Sequence, residues 1–414
     1  MEPDQLDRAT LAALAREWLL HGHLQDRIGM PLLLETCDRE TMQEVAIDTW
    51  SAVSPVYSRR ARTALNFSGD DVSVIFKGMQ LDIGAPHQFL DFRYRLTDAG
   101  HGEFFLASCG ALLDVEPLGE DFVHGMCHTI EDPTFDATAG SVNPLAQVRP
   151  VHRPPRVPAG RLPHCAWTVV VADGAPVAPH PNESSVAASN AATITLPAPP
   201  PAPAEPGGWD DYSGPFDPDF QFEDLSHQAL RSALAEIALQ SHLLYRGFLL
   251  SVIDRFGADR AYAIMPRMLA GLAGITSERL CRALPLGGGA EGVAALLAVH
   301  PMLAPAGYLD VGVTATASGG LRLAIADCPL TAEPDGLTWL APLADAPDGL
   351  ASLVRPAAPY ARVHPVDPAE GEWRAFEIVL DPSAEPLPEA PEVGLARFST
   401  GATFTFERRR PVRT

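Results

Sequence analysis

Apolar side chains recur at helical spacing in two separate parts of the chain. They do so over residues 11–23 and 40–53, and again over residues 242–256 and 259–273. Positions three and four residues apart share one face of a helix, so these stretches predict helices with a buried side. Pro55 is expected to end the second helix, because proline interrupts the hydrogen bonding of a helix.

Strands are predicted after the helices in both parts, where β-branched and aromatic residues alternate with polar ones. The predicted strands cover residues 71–83, 88–96, 103–112 and 165–172 in the first part, and 307–317, 320–328 and 373–380 in the second. The tripeptide at 318–320, Ser-Gly-Gly, predicts a hairpin turn. Helices followed by antiparallel hairpins predict the α+β class rather than a parallel doubly wound sheet.

The two parts repeat each other at a single ungapped offset. The offset that brings His23 onto His242 also brings Arg27 onto Arg246, Asp91 onto Asp310, and Cys109 onto Cys328. Aligning Trp167 with Phe376 matches the last strands and places Arg374 where Cys165 stands. A period of about 200 residues indicates a duplicated domain rather than a solenoid. We therefore expect two homologous modules, each with helices and an antiparallel sheet.

The segment between the modules has a different composition from either of them. Eleven of the forty prolines lie between residues 174 and 218, together with many alanines. This composition is typical of a stiff, extended linker. The boundaries are therefore predicted as module one over 1–173, a linker and strap over 174–225, and a degenerate second copy over 226–414.

The end of this segment, residues 209–225, alternates aromatic with acidic residues and is called the strap below. Two readings stay open for it. The strap is a solvated continuation of the linker, or it docks on a module through Trp209, Phe216, Phe220 and Phe222.

Charge and composition argue against several classes of function. The formal net charge is −22. Such a charge repels nucleic-acid phosphates and anionic lipid headgroups, so neither nucleic acid nor a membrane is expected as a partner. No leader segment and no long apolar span stand out, so we expect a cytoplasmic protein. Six cysteines in 414 residues do not form a disulfide scaffold.

Candidate metal ligands gather in module one, and nine of the thirteen histidines lie before residue 181. Cys109 is expected at the end of a strand, the adjacent Cys127 and His128 follow, and Cys165 begins the last strand. Three cysteines and a histidine are a ligand set that suits zinc or iron. Two alternatives stay open, reactive thiols without a metal and small buried core residues. Of the four residues, only Cys109 has a counterpart in the second copy.

Further residues near this cluster are candidates for catalysis and for substrate binding. Glu131 and Asp132 are the acids that follow Cys127 and His128 most closely, so either is a candidate general base. The run RPVHRPPR is a proline-stiffened loop that offers basic side chains to a carboxylate. Its candidate substrate-binding residues are Arg149, His152, Arg153 and Arg156. A solvated loop without such a role is the alternative. Asp26 and Glu35 are weaker candidates for a pocket.

These pieces resemble the L-2-amino-thiazoline-4-carboxylic acid hydrolase-like proteins and the related vinyl-reductase-type small-molecule-binding domains. The matching pieces are residues 242–257, HLLYRGFLLSVIDRFG, together with Cys109, Cys127 followed by Glu131 and Asp132, and Cys165 followed by Trp167. The resemblance implies an α+β fold with an enclosed small-molecule pocket, cysteine-based metal binding in some members, and frequent dimerisation. The tandem copies then predict a pseudo-dimer within one chain, and a homo-oligomer of whole chains stays open.

Three hypotheses of function follow. The first is a metal-assisted hydrolase-like protein that acts on a small carboxylated or amidine-type molecule in module one. The second is a non-enzymatic sensor or carrier of a small molecule, similar to the vinyl-reductase-type domains, with a cysteine metal site. The third is a scaffold that recruits a protein through the linker and strap.

Overall fold

Two sheets of four antiparallel strands organise the chain, one in each module. The structure is a computed structural model and describes residues 5–199, 205, 207–341 and 348–407. The predicted α+β class and its two modules are confirmed. The strands of module one are β1 Leu90–Asp98, β2 His101–Cys109, β3 Ala146–His152 and β4 Cys165–Val171. Those of module two are β5 Val311–Ala315, β6 Leu321–Ala326, β7 Ala361–Val366 and β8 Glu372–Leu380.

The two sheets share one strand order and one register. The order is β1-β2-β4-β3 in module one and β5-β6-β8-β7 in module two. Phe104 lies opposite Trp167 in the first sheet, and Leu323, its equivalent at the offset of the repeat, lies opposite Phe376 in the second. The alignment of Trp167 with Phe376 therefore holds in three dimensions, and Arg374 occupies the register position of Cys165.

Helices surround and connect these sheets. The longer helices are α1 Arg8–Leu24, α2 Asp26–Leu34, α3 Arg39–Ala64, α4 Val72–Met79, α7 Glu131–Gly140, α10 His227–Phe256, α11 Ala258–Ala283 and α12 Gly289–Val299. The shorter ones are α5 Gly110–Val115, α6 Glu120–His124, α8 Glu183–Ala187, α9 Asn190–Thr193, α13 Asp348–Val354 and α14 Pro391–Ala396. Across the described ranges, no helix combines the length and the apolar character needed to span a membrane.

Two predictions that concern the helices of module one are wrong. The pattern over residues 71–83 predicts a strand, but most of them form α4, whose N-terminus is capped by the side chain of Asp71. Val72, Ile75 and Phe76 are buried at helical spacing, so tertiary burial outweighs the strand preference of β-branched residues. Pro55 is expected to end a helix, but α3 continues through it to Ala64. Burial of the residues around Pro55 offsets the lost backbone hydrogen bond.

The two modules pack together through their long helices, chiefly α3 and α1 of module one against α10 of module two. Gly247 permits the close approach of α10 to α3, because a Cβ atom at this position would lie 2.4 Å from Val53 Cγ1. Beside this contact, the buried Thr49 hydroxyl donates to Ser251 Oγ over 3.3 Å. The intermodular seam is therefore a tightly packed helix pair.

The strap docks on module one, as in the second reading of its sequence. Phe220 and Phe222 are buried, and the half-buried Phe216 packs against the ring of Phe76 with 5.6 Å between the centroids. Lys77 of α4 donates its ammonium group to two strap carbonyls, those of Tyr212 at 2.9 Å and Gly214 at 2.6 Å.

A buried ion pair links the strap to α1. Arg16 Nη1 donates to both carboxylate oxygens of Glu223, at 2.7 and 2.8 Å, and both side chains are at most 5% exposed. Removing one partner leaves an uncompensated buried charge, which is far more costly than losing a surface pair.

We therefore expect Glu223→Ala to lower the free energy of unfolding by about 3 kcal/mol, because Arg16 would lose its buried counter-charge. Urea unfolding followed by circular dichroism measures this change. The control is Glu103→Ala, which removes the partner of Arg95 in an exposed pair and should cost less than about 1 kcal/mol. Equal losses in the two variants would contradict a structural role for the buried pair.

Candidate functional site

The three candidate cysteines of module one come together at one end of its sheet. Cys109 ends β2 and Cys165 begins β4, as predicted, and these two strands are paired. Cys127 lies in a π-helical turn, Gly125–Ile130, between α6 and α7. Such turns interrupt α-helices and occur frequently at functional sites. All three side chains are buried and none forms a disulfide.

The three thiols are neutral under ordinary conditions. Burial raises the pKa of Cys109 far above its usual value, and nearby Cys165 and Glu131 raise it further. Burial also raises the pKa of Cys127, and nearby Glu131, Cys109 and Cys165 raise it further. Burial and Glu131 raise the pKa of Cys165 to about 12. Because the thiolate is the reactive form of cysteine, these side chains are weak nucleophiles in the protein alone.

His128 points away from the thiols. Its Nε2 atom donates to the carbonyl of Pro154 over 2.6 Å, and its ring lies 4.4 Å from that of His124. In the described part of the chain, no group of three or more His, Cys, Asp or Glu residues is arranged to hold a metal ion. Zinc or iron binding by Cys109, Cys127, His128 and Cys165 stays a prediction.

Of the three thiols, that of Cys109 lines a cavity of about 500 Å³. It is bounded by α2, α3, the strands β1 and β2, and the helical stretch from α5 to α7. Its walls are mostly apolar and include Met30, Leu34, Met42, Ala46, Met79, Leu90, Phe92, Leu106, Val115, Phe122, Met126, Ile130 and Phe135. This volume falls within the range of pockets that enclose a small organic ligand.

Four carboxyl groups line this apolar cavity, and three of them hold protons more firmly than usual. Burial raises the pKa of Glu131 to about 8, and neighbouring Asp132 raises it further. Burial raises the pKa of Asp82 to about 6, although Tyr57 and the backbone of Gly84 donate hydrogen bonds to it. Burial also raises the pKa of Asp26. At neutral pH the cavity is therefore less negative than its composition indicates.

Arg27 lines the cavity but already has partners. Its Nε atom donates to Asp114 Oδ2 at 3.1 Å, and its Nη2 atom donates to His23 Nε2 at 3.1 Å. Burial lowers the pKa of His23 well below its usual value, so its ring is neutral and can accept this bond. Asp114 in turn accepts from the Ser399 hydroxyl at 2.6 Å.

Residues near the C-terminus therefore complete the cavity of module one. Leu395, Phe398 and Ser399 all line it, although they belong to module two. Phe398 is 85% exposed, which places its ring at the rim. Asp114 holds this segment through Ser399 and through the backbone N–H of Thr400, which donates to Asp114 Oδ1 over 2.6 Å.

The predicted substrate-binding residues do not line the cavity. Arg149 pairs with Asp136, Arg156 with Glu116, and Arg153 with Asp132. His152 is half-buried in β3, a strand that the sequence did not predict, because the run RPVHRPPR was expected to be a loop. Asp132 is occupied by Arg153 outside the cavity, whereas Glu131 faces it. The structure thus brings Glu131 to the three thiols. Arg153 lies near enough to favour the charged forms of Glu131 and Cys127, although it does not line the cavity.

Module two repeats the scaffold of this site, with a large side chain beside the equivalent histidine. Arg246 Nη1 lies 3.9 Å from Glu333 Oε2, which repeats the pair of Arg27 and Asp114 at the offset of the duplication. The ring of Trp339 packs 5.2 Å from that of His242, the equivalent of the cavity-lining His23. Trp339 is buried, so a large side chain occupies space beside the second histidine.

Sequence reasoning missed several cavity residues. Tyr57 and Asp82 carried no signal, because Tyr57 lies beyond the predicted helix of residues 40–53 and Asp82 lies in a segment predicted only as a strand. His23 and Arg27 did carry one, since both recur in the second copy. Asp26 lines the cavity as suggested, whereas Glu35 lies on the surface and pairs with Arg267.

Comparison with known proteins finds no relative of this chain. No protein-family model matches the chain, and neither curated protein sequences nor solved structures give a match.

The raised pKa of Glu131 predicts a pH-dependent effect of its removal. Below its ordinary value of 4.5, Glu131 is protonated in both the folded and the unfolded chain. As the pH rises to about 8, only the unfolded chain gives up this proton, so the folded state loses stability. Glu131→Gln should therefore change the melting temperature little at about pH 5 and raise it at about pH 9. Differential scanning fluorimetry across this range measures the difference.

The control for this titration is Glu103→Gln, which alters an exposed carboxylate. Its melting temperature should follow that of the unaltered protein across the same pH range. A constant difference between Glu131→Gln and the unaltered protein at every pH would contradict a raised pKa for Glu131.

Proposed function

We propose that the chain is a non-enzymatic carrier or sensor that encloses one small, largely apolar molecule in module one. The observation that carries this proposal is the cavity of about 500 Å³, whose walls are mostly aliphatic, aromatic and thioether side chains. Apolar surface gains free energy on leaving water, so such walls favour a ligand with an apolar body. Cavities of this kind, with a few polar groups, are the usual form of small-molecule sites.

The polar groups of the cavity suit recognition better than covalent chemistry. The pKa of Cys109 is raised by burial, so its sulfur is a thiol, and its Sγ atom already accepts the N–H of Leu112 at 3.3 Å. The side chains of Glu131, Asp82 and Tyr57 can exchange hydrogen bonds with a ligand and orient it. A few oriented polar groups in an apolar wall give specificity without a reaction.

Module two has a supporting role in this proposal. It contributes the helix α10 on which α3 rests, and it contributes Leu395, Phe398 and Ser399 to the rim. The two modules then act as a pseudo-dimer within one chain, in which one half binds and the other half closes the site.

Filling the cavity with a bulky side chain should weaken the binding of an apolar ligand. Met42, Ala46 and Trp50 recur every fourth residue on the cavity face of α3, so Ala46→Phe directs a bulky ring into the space. The probe is N-phenylnaphthylamine, a neutral apolar dye that fluoresces on leaving water. We expect Ala46→Phe to weaken dye binding at least tenfold, measured by fluorescence titration.

The matched control is Ala263→Phe, which makes the same exchange at an exposed position inside α11. It should bind the dye as the unaltered protein does. Equal dye binding by Ala46→Phe and the unaltered protein, or no binding by either, would overturn the proposed function.

A second candidate function is hydrolysis of a small cyclic amidine or amide, and one observation favours it. Glu131 faces the cavity with a pKa of about 8, so near neutral pH it carries a proton. A carboxyl group with such a pKa is suited to give a proton to a leaving nitrogen and to recover one from the attacking water.

If this second candidate holds, Glu131→Gln should lower the rate of ring opening at least about a hundredfold, because glutamine cannot exchange the proton. Ring opening of small cyclic amidines, followed by NMR spectroscopy, measures the rate. N-Phenylnaphthylamine binding should stay unchanged in the variant. Absence of turnover in the unaltered protein, with dye binding intact, would leave the carrier or sensor function and exclude hydrolysis of these substrates.

A further inference from the structure

Resting on the proposed binding function, we propose that the ligand carries a basic nitrogen, an amine or amidine, which binds between Asp26 and Asp82 beside the rings of Trp50 and Tyr57. We call these four residues the carboxylate–aromatic end of the cavity. The apolar body of the ligand then extends along the remaining walls.

The four residues form one connected group. Trp50 Nε1 donates to Asp26 Oδ2 over 2.8 Å, and the Tyr57 hydroxyl donates to Asp82 Oδ1 over 2.7 Å. Gly84 lies between the two halves, since a Cβ atom there would be 3.1 Å from Asp82 Oδ1 and 3.3 Å from Trp50 Cζ3. All of these residues line the cavity. Two carboxyl groups and two aromatic rings thus share one end of an apolar space.

The charges of the cavity wall favour a cation over an anion. Four carboxyl groups line the cavity, those of Asp26, Asp82, Asp114 and Glu131. Among the described lining residues, Arg27 is the one arginine or lysine, and it donates to Asp114 and to His23. A carboxylate ligand would therefore meet excess acid and a guanidinium that is already paired, whereas an ammonium group would meet acceptors.

Both carboxyl groups of this end have hydrogen-bonding capacity to spare. Asp26 Oδ1 is buried and has no hydrogen-bond partner, although a carboxylate oxygen is a strong acceptor. The hydrogen bonds that Asp82 receives at Oδ1 come from a phenol and a backbone amide, both neutral. Burial is costly for a carboxylate. Arg27 offsets part of this cost for Asp26, and a bound cation would supply an opposite charge to both groups.

The aromatic rings and the rest of the cavity suit the two parts of such a ligand. Tryptophan and tyrosine faces attract ammonium groups, most strongly where water is excluded. Beyond this end, Met30, Met42 and Met79 contribute flexible thioether side chains that adapt to an irregular apolar body. The cavity therefore combines a cation-binding end with an adaptable apolar part.

Three probes of equal length test the charge preference. Phenylbutylamine, phenylbutanol and phenylbutyrate share an apolar body and differ in the group at the end. We expect isothermal titration calorimetry at neutral pH to give a dissociation constant for the amine at least about tenfold lower than for the alcohol, because charge-assisted hydrogen bonds are the stronger ones. The carboxylate should bind more weakly than the alcohol.

Two variants locate the preference at the carboxylate–aromatic end. Asp82→Asn and Asp26→Asn keep an acceptor oxygen for Tyr57 and Trp50 but remove the charge. Each should weaken amine binding about tenfold and change alcohol binding less than twofold. The control is Glu370→Gln, which neutralises an exposed carboxylate of module two and should change neither.

Failure of this inference is distinguishable from failure of the proposed function. If N-phenylnaphthylamine binds but the alcohol or the carboxylate binds as tightly as the amine, the inference is overturned and the carrier or sensor function stands. Equal losses of amine and alcohol binding in Asp26→Asn and Asp82→Asn would also overturn it. If the dye does not bind, the proposed function itself fails.

Discussion

The packing of α3 against α10 is the contact on which the site depends. One face of α3 presents Thr49 and Val53 to module two, where Gly247 allows close approach. An adjacent face presents Ala46 and Trp50 to the cavity. Because a single helix forms both surfaces, the intermodular seam sets the position of the cavity wall. The tight packing on one side keeps the helix in place while the other side borders empty space.

The two copies have kept the same backbone scaffold, but their interior side chains differ. The strand order, the register and the arginine–carboxylate pair recur in both modules. In module one, the histidine of the repeated helix lines a cavity, whereas in module two its equivalent packs against Trp339. The two modules therefore differ beside this histidine in side chains that do not take part in strand pairing.

The sequence predicted the modules well because duplication and alternation leave long-range patterns. The single offset of the repeat located equivalent strands, and the alignment of Trp167 with Phe376 holds in the register of both sheets. Strand alternation also placed Cys109 and Cys165 correctly at strand ends. Local propensity failed where tertiary burial decides, as at residues 71–83 and at Pro55.

The cavity itself could be predicted only in part. Its wall combines residues from distant parts of the chain, such as Asp26, Asp82 and Phe398, which no local pattern connects. The arginines of the RPVHRPPR run looked available for a substrate because their partners Asp132, Asp136 and Glu116 are likewise set by the tertiary fold.

The contribution of Phe398 and Ser399 to the rim has a consequence for the order of events during synthesis. The β-sheet of the first module and its thiols leave the ribosome long before these residues do. Until residues 398 and 399 have been synthesised, the hollow lacks part of its border, and Asp114 lacks the hydroxyl group that anchors it. A nascent chain that stops short of Phe398 and Ser399 therefore cannot present the completed chamber.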